Sequence, residues 1–169
     1  MRIRFIMSLC LLSGWVQLSS AADIVPVKSP LQRIADKQAH LTIKGAGNSV
    51  KLTLADIESL PMYQTTLNTQ WGMNGTYHGV LLNDLLAAHK LKGNKQLVFH
   101  ALDNYMSQIP MSEVNGSQAM LATRFNGQTI PLNNKGPFIL IWPAKDKAVL
   151  EGKAPISSWV WSVDEISVQ

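Results

Sequence analysis

The chain has 169 residues, 46% of them hydrophobic and 15% charged, with one cysteine (Cys10) and a formal charge of +4. That length suits one domain, and the apolar fraction is ample for a packed core rather than a disordered chain. The charge is too small to give the electrostatic footprint that nucleic acid requires.

The first 22 residues read as a secretory signal peptide. Arg2 and Arg4 form a basic start, Phe5 to Val16 is apolar and free of acid, and Ser20-Ala21-Ala22 supplies small residues at the cleavage spacing. The apolar run is too short for a transmembrane helix. Cleavage after Ala22 leaves 147 residues with 13 basic side chains against 11 acidic ones, a net charge of +2 and no cysteine. The mature chain is expected in the periplasm, not inserted in the membrane. It offers no thiolate to ligate a metal or attack a substrate.

Residues 23–38, with Pro26 and Pro30, read as an extended lead-in, and the domain is expected over 39–169. His40 to Lys44 and Val50 to Leu52 alternate around Gly45-Ala46-Gly47-Asn48, predicting a hairpin. Thr53 is a good N-cap for a short helix over 54–60, with Asp56 completing a capping box and Pro61 ending it. Tyr63 to Gln70 reads as a strand, and Asn74-Gly75 as a tight turn. Val80 to His89 predicts a helix stopped by Gly93. Further strands are expected over 96–102, 105–110, 120–125 and 128–132, the last two joined through Asn126-Gly127. Phe138 to Trp142 suits a buried strand closed by Pro143, and Ser157 to Val168 a final strand bent at Asp164-Glu165. Many short strands with two or more helices indicate a single α+β domain.

The chemistry-bearing candidates are scattered. His40, His78, His89 and His100 fall into no paired ligand spacing, which argues against a metal site, and no Gly-x-Ser-x-Gly elbow is present. Asp103-Asn104-Tyr105 follows an apolar strand, where a loop presents polar groups to a ligand; an ordinary Asx turn explains the same residues. Arg124 suits an anion or a surface ion pair. Lys135-Gly136-Pro137 joins a cation to a glycine whose neighbourhood can turn N–H groups toward an oxygen. Trp71, Trp142, Trp159 and Trp161 are many indoles for one domain, suited to a core or to stacking on a planar heterocycle.

In combination these segments resemble the molybdopterin-binding domain of the sulfite oxidase superfamily in its small exported form. The resemblance is carried by Leu54 to Pro61, Tyr77-His78-Gly79-Val80-Leu81-Leu82-Asn83-Asp84-Leu85-Leu86, Ala101 to Tyr105, Ala119 to Gly127, Lys135-Gly136-Pro137 through Trp142-Pro143, and Trp161 to Val168. Catalytic members hold molybdenum through a cysteine ahead of the Gly-Val-Leu element. The corresponding stretch, Thr65 to Trp71, has none. The resemblance therefore implies a non-enzymatic pocket for a reduced or hydroxylated pterin, without molybdenum. Asp103 would accept the donor edge of the ring, Trp71 or Trp142 would stack on it, Asn104 and Tyr105 would flank it, and Arg124 or the backbone at Lys135-Gly136 would meet its 4-oxo group. Similar small proteins pass ligand status to the periplasmic domain of an inner-membrane cyclic-di-GMP enzyme. The alternative it leaves open is a molybdopterin-dependent oxidoreductase, or a subunit of one, with a non-cysteine metal ligand.

Overall fold

The first hairpin follows its alternation. In the computed structural model, which describes residues 22–29, 31, 32, 34, 35, 38–45, 47–91 and 95–169, Leu41 and Ile43 are buried while Thr42 between them is only partly so. The predicted signal peptide (1–22) lies outside the described residues except for Ala22, as does Gly93. No helix among the described residues is long and apolar enough to cross a membrane.

Among the described residues eleven strands form two sheets. Strands β1 (Val25–Pro26), β4 (Met62–Leu67), β5 (Gly75–Leu81), β8 (Met120–Phe125) and β10 (Ile139–Ile141) neighbour one another in that order, and β9 (Gln128–Thr129) also pairs with β8. The second sheet runs β3 (Asn48–Thr53), β2 (Ala39–Gly45), β11 (Val163–Val168), β6 (Gln96–Ala101) and β7 (Met106–Pro110). The C-terminal strand β11 sits in the middle, parallel to β2 and antiparallel to β6. Among the described residues four short α-helices, α1 (Leu54–Ile57), α2 (Leu82–Ala88), α3 (Met111–Asn115) and α4 (Asp146–Leu150), connect the strands. Buried apolar side chains from both sheets and from these helices form one cluster. The molecule is a single α+β domain, as the sequence pattern predicts.

Local signals explain where elements start and stop. Thr53 Oγ1 accepts from Asp56 N at 3.1 Å and Asp56 Oδ2 accepts from Thr53 N at 2.8 Å, so the predicted capping box forms. The helix is shorter than expected, ending at Ile57 with Glu58 as its C-cap. Asn126 (φ 49°) and Gly127 (φ 79°) both take left-handed conformations, the geometry of a two-residue hairpin turn.

Three expectations are corrected. The helix predicted from Val80 begins at Leu82, because Val80 and Leu81 continue β5, paired with β4 on one side and β8 on the other. Apolar residues in a strand covered on both faces lose the period of two, so a helical and a strand reading cannot be separated locally. The turn at Asn74-Gly75 is the end of a longer loop, in which Asn74 Oδ1 accepts from Thr69 N at 2.9 Å. The final strand starts only at Val163; before it, Ile156–Ser158 is a 3-10 turn, and Val160 makes an isolated bridge to Leu140. The lead-in expected over 23–38 contributes β1, which pairs Val25 with Gln64 and Pro26 with Tyr63.

Candidate functional site

The segment from Ile156 to Ser162 runs as irregular backbone, and its carbonyls gather side chains from both halves of the domain. Ser157 O accepts from Tyr105 Oη at 2.9 Å and from Ser107 Oγ at 2.8 Å, and Ser158 O accepts from Trp142 Nε1 at 2.7 Å. Further along, Ser162 N donates to Lys135 O at 2.8 Å, and Ser162 O accepts from Leu102 N at 3.0 Å. The Asp103 turn and the Lys135 loop are thus fastened to one residue.

That junction is strained. Asn104 (φ 66°), Lys135 (φ 67°) and Ser162 (φ 53°) all occupy the left-handed region, three of the five non-glycine residues that do so among those described. Each such residue costs of order 1–3 kcal/mol and persists only where the surroundings enforce it, commonly at ligand sites. Asn104 follows the local rule for its residue type, whereas Lys135 and Ser162 do not.

Beside the junction lies an aromatic group. The loop after β4 is folded by Thr69, whose Oγ1 accepts from Met73 N at 3.0 Å, and it presents Trp71. The Trp71 ring meets Trp159 and Trp161 edge to face, with centroids 5.6 and 5.7 Å apart. Lys135 Nζ lies 4.5 Å from the Trp161 ring centroid. Trp159 is buried, while Trp71 and Trp161 remain partly accessible. Under the loop, Tyr77 donates its hydroxyl to Met73 O at 2.7 Å. Burial raises the pKa of that phenol, with hydrogen bonding to Thr69 and Trp71 opposing the rise.

The structure thus brings Trp71, Lys135, Asp103, Asn104 and Tyr105 to one region. Asp103 is exposed, and its Oδ1 accepts from Tyr105 N at 3.0 Å, so the Asx turn is real and occupies one carboxylate oxygen. Gly136 does not offer its N–H outward: it donates to Pro131 O at 3.0 Å, and a Cβ on Gly136 would sit 1.9 Å from Ile130 O. The glycine serves close backbone packing rather than an anion.

Two expected site residues lie elsewhere. Trp142 is 1% exposed, belongs to the core, and carries Lys145 Nζ over its ring at 4.4 Å. Arg124 is 3% exposed and fully engaged. Its Nε and Nη2 donate to the two oxygens of Glu58 at 2.8 and 2.6 Å, Nη2 also reaches Gln32 O at 2.7 Å, and Nη1 reaches Gly127 O at 3.4 Å. Side chains alternate along a strand, so His78, the cross-strand partner of Arg124, lies on the face of β5 opposite Tyr77 and its aromatic neighbours. Burial, then the Arg124 charge, lowers the His78 pKa, and Glu58 partly opposes them. Arg124 and Glu58 also line a cavity of about 550 Å³, walled by Val27, Leu31 and Ile34 of the lead-in.

Of the four indoles suited to stacking, the expectation falls on Trp71 or Trp142, whereas Trp159 and Trp161 are the ones that meet Trp71, and Ser162 carries no signal in the sequence. The Trp159-x-Trp161 spacing is a visible signal; the role of Ser162 depends on tertiary contacts. A second cleft, of about 430 Å³, opens between Leu102, beside the Asp103 turn, and Leu132 and Pro137, which bracket Lys135-Gly136.

Two short-stranded sheets around one core, with a strained, aromatic-flanked junction at their shared loops, define an α+β class of domain. Residues 28–146 match the model of the oxidoreductase molybdopterin binding domain, and the chain belongs to that family. No curated protein matches the chain.

The residues do not fit a thiolate-held molybdenum. Cys10 is the only cysteine, and the stretch Thr65 to Trp71 supplies hydroxyl, amide, aliphatic and indole groups. Molybdenum is expected to favour a soft ligand at this position. Among the described residues no three His, Cys, Asp or Glu side chains are grouped so as to hold a metal.

Proposed function

We propose that this protein binds a pterin, reduced or hydroxylated, at the face formed by Trp71, Trp161, Lys135 and the Asp103 turn, and that it acts as a binding protein rather than a catalyst. The carrying observation is family membership in a molybdopterin binding domain combined with a cysteine-free sequence from Asp23 to Gln169. The aromatic group supplies an indole of the size a bicyclic heterocycle stacks on. Lys135 makes no ion pair among the described residues, so leaving its contact with the partly accessible Trp161 ring costs about 0.5–2 kcal/mol. Asp103 retains Oδ2 for the 2-amino and ring N–H donors. In this reading the protein works in the periplasm and reports ligand status to the periplasmic domain of a membrane cyclic-di-GMP enzyme, which requires only that loaded and empty forms bind the partner differently.

Mass spectrometry of ligand released from the purified protein, with calorimetry using tetrahydrobiopterin, tests the binding. Trp161→Ala should weaken affinity by about 1–3 kcal/mol, the usual worth of stacking a base on an aromatic ring. Asp103→Ala should weaken it by about 1.5–3 kcal/mol. No released pterin and no heat on titration would sink the proposal. The family's oxidoreductase designation favours a second reading, an enzyme or enzyme subunit using a non-cysteine ligand. Stoichiometric molybdenum by elemental analysis would support that reading instead.

A further inference from the structure

Lys135 stands where its residue type is not favoured. It caps the 3-10 turn over Leu132–Asn134 with a φ of 67°, in the left-handed region that glycine or asparagine takes with least strain. The loop keeps its shape through backbone bonds. Asn134 N and Gly136 N both donate to Pro131 O, at 2.9 and 3.0 Å, and Ser162 N donates to Lys135 O at 2.8 Å. A lysine strains this backbone where a glycine would not.

The domain contains an ammonium resting on an indole twice, and the two cases differ in one respect. Lys145 Nζ lies 4.4 Å from the Trp142 ring centroid and is also paired with Glu113. Lys135 Nζ lies 4.5 Å from the Trp161 centroid and meets no carboxylate among the described residues. Trp142 is buried, whereas Trp161 and Lys135 are both partly accessible. The buried pairing is complete within the fold; the accessible one has the ring and the cation and lacks the anion. The Ser162–Lys135 bond also fixes the lysine's backbone beside the residue that follows Trp161.

We propose that Lys135 sets the ligand specificity of the Trp161 face. It leaves the ring when a planar ligand stacks there and pairs with a carboxylate on that ligand, taking the place that Glu113 holds for Lys145. Its flexible stem permits the move. One ammonium balances one negative charge, which matches a carboxylate rather than a phosphate of about −1.5 to −2. Resting on the pterin reading above, this narrows the ligand to a pterin whose second ring, away from the 2-amino edge, bears a carboxylate.

Three probes test this by calorimetry and by quenching of tryptophan fluorescence in the purified protein: pterin, 6-carboxypterin, and quinaldate, a planar bicyclic carboxylate without the pterin donor edge. We expect 6-carboxypterin to bind about 10-fold tighter than pterin. Lys135→Gln should abolish that preference, and Lys135→Arg should keep it, since a guanidinium carries the same charge and also stacks on an indole. In the unaltered protein, raising salt from about 0.02 M to about 0.5 M should reduce the preference, through screening of a partly exposed pair. Equal binding of the two pterins, or a preference that Lys135→Gln or salt leaves intact, keeps the pterin reading and overturns the role of Lys135. Quinaldate bound through Lys135 with neither pterin bound supports the anion site and removes the pterin reading. Failure of all three to bind overturns both.

Discussion

Arg124 and Asp164 are both charged residues set into β-strands of the same domain, and they are treated in opposite ways. The Arg124 side chain is answered throughout: it donates to both Glu58 oxygens and to two backbone carbonyls, and Thr123 Oγ1 donates to Glu58 Oε1 at 2.8 Å. Around Asp164 one oxygen is buried and unanswered. A saturated pair has little capacity left for a ligand and ties chain segments together, here β8, the residue after α1, and the lead-in at Gln32. The buried Asp164 oxygen has no partner to offset its desolvation and ties no segments together. The contrast shows that residue type alone does not tell a paired charge from an unpaired one.

The largest way to break the comparison is to unpair the first region. Arg124→Ala leaves Glu58, whose side chain is 11% exposed, without its cation. Removing one partner of a buried pair costs about 3–5 kcal/mol, to be read from urea denaturation. Ligand affinity of the folded fraction should be unchanged, and a selective loss of binding with stability intact would place Arg124 in the site after all.

A smaller effect is expected at Trp142. Trp142→Phe removes the donor to Ser158 O and leaves that carbonyl unpaired, a loss of about 1–3 kcal/mol. Its effect on stability should exceed its effect on binding, because the indole is buried at 1% exposure, whereas Trp161→Ala should show the reverse. Equal binding losses for the two would erase the distinction between core and platform.

The smallest effect is a pH dependence beside Arg124. The folded His78 pKa lies below its ordinary 6.5, chiefly through burial and then through Arg124. The unfolded imidazole therefore takes up a proton at a pH where the folded one does not. Stability is lost as pH falls below about 6.5, and the loss levels off once the folded imidazole also protonates. His78→Gln should flatten this component, measured as the difference between urea midpoints at about pH 5 and about pH 7.5. An unaltered pH profile would remove His78 from the account.

Much of the fold was legible because local rules governed it. The β2–β3 hairpin follows alternation, the Thr53–Asp56 box and the Asn126-Gly127 turn follow from residue type, and the α+β class follows from many short strands. Reading failed where burial on both faces erases periodicity, as at Val80 and Leu81, and where tertiary carbonyls hold an irregular segment, as at Ser157 to Ser162. Of the candidate site, Trp71, Lys135 and the Asp103 turn were legible as loop residues. Arg124 was not, because nothing adjacent in sequence announces Glu58, 66 residues away.

The sequence by itself determined the α+β class, the family pattern and the absence of a thiolate beyond Cys10, since these depend on residue identity and short-range spacing. Only the tertiary structure decided which charged residues are paired and which are not. That decision rests on desolvation and on pairing between segments distant in sequence: Arg124 of β8 meets the carboxylate of Glu58 just after α1, and Asp164, at a bulge in the middle strand of the second sheet, keeps a buried oxygen with no partner among the described residues.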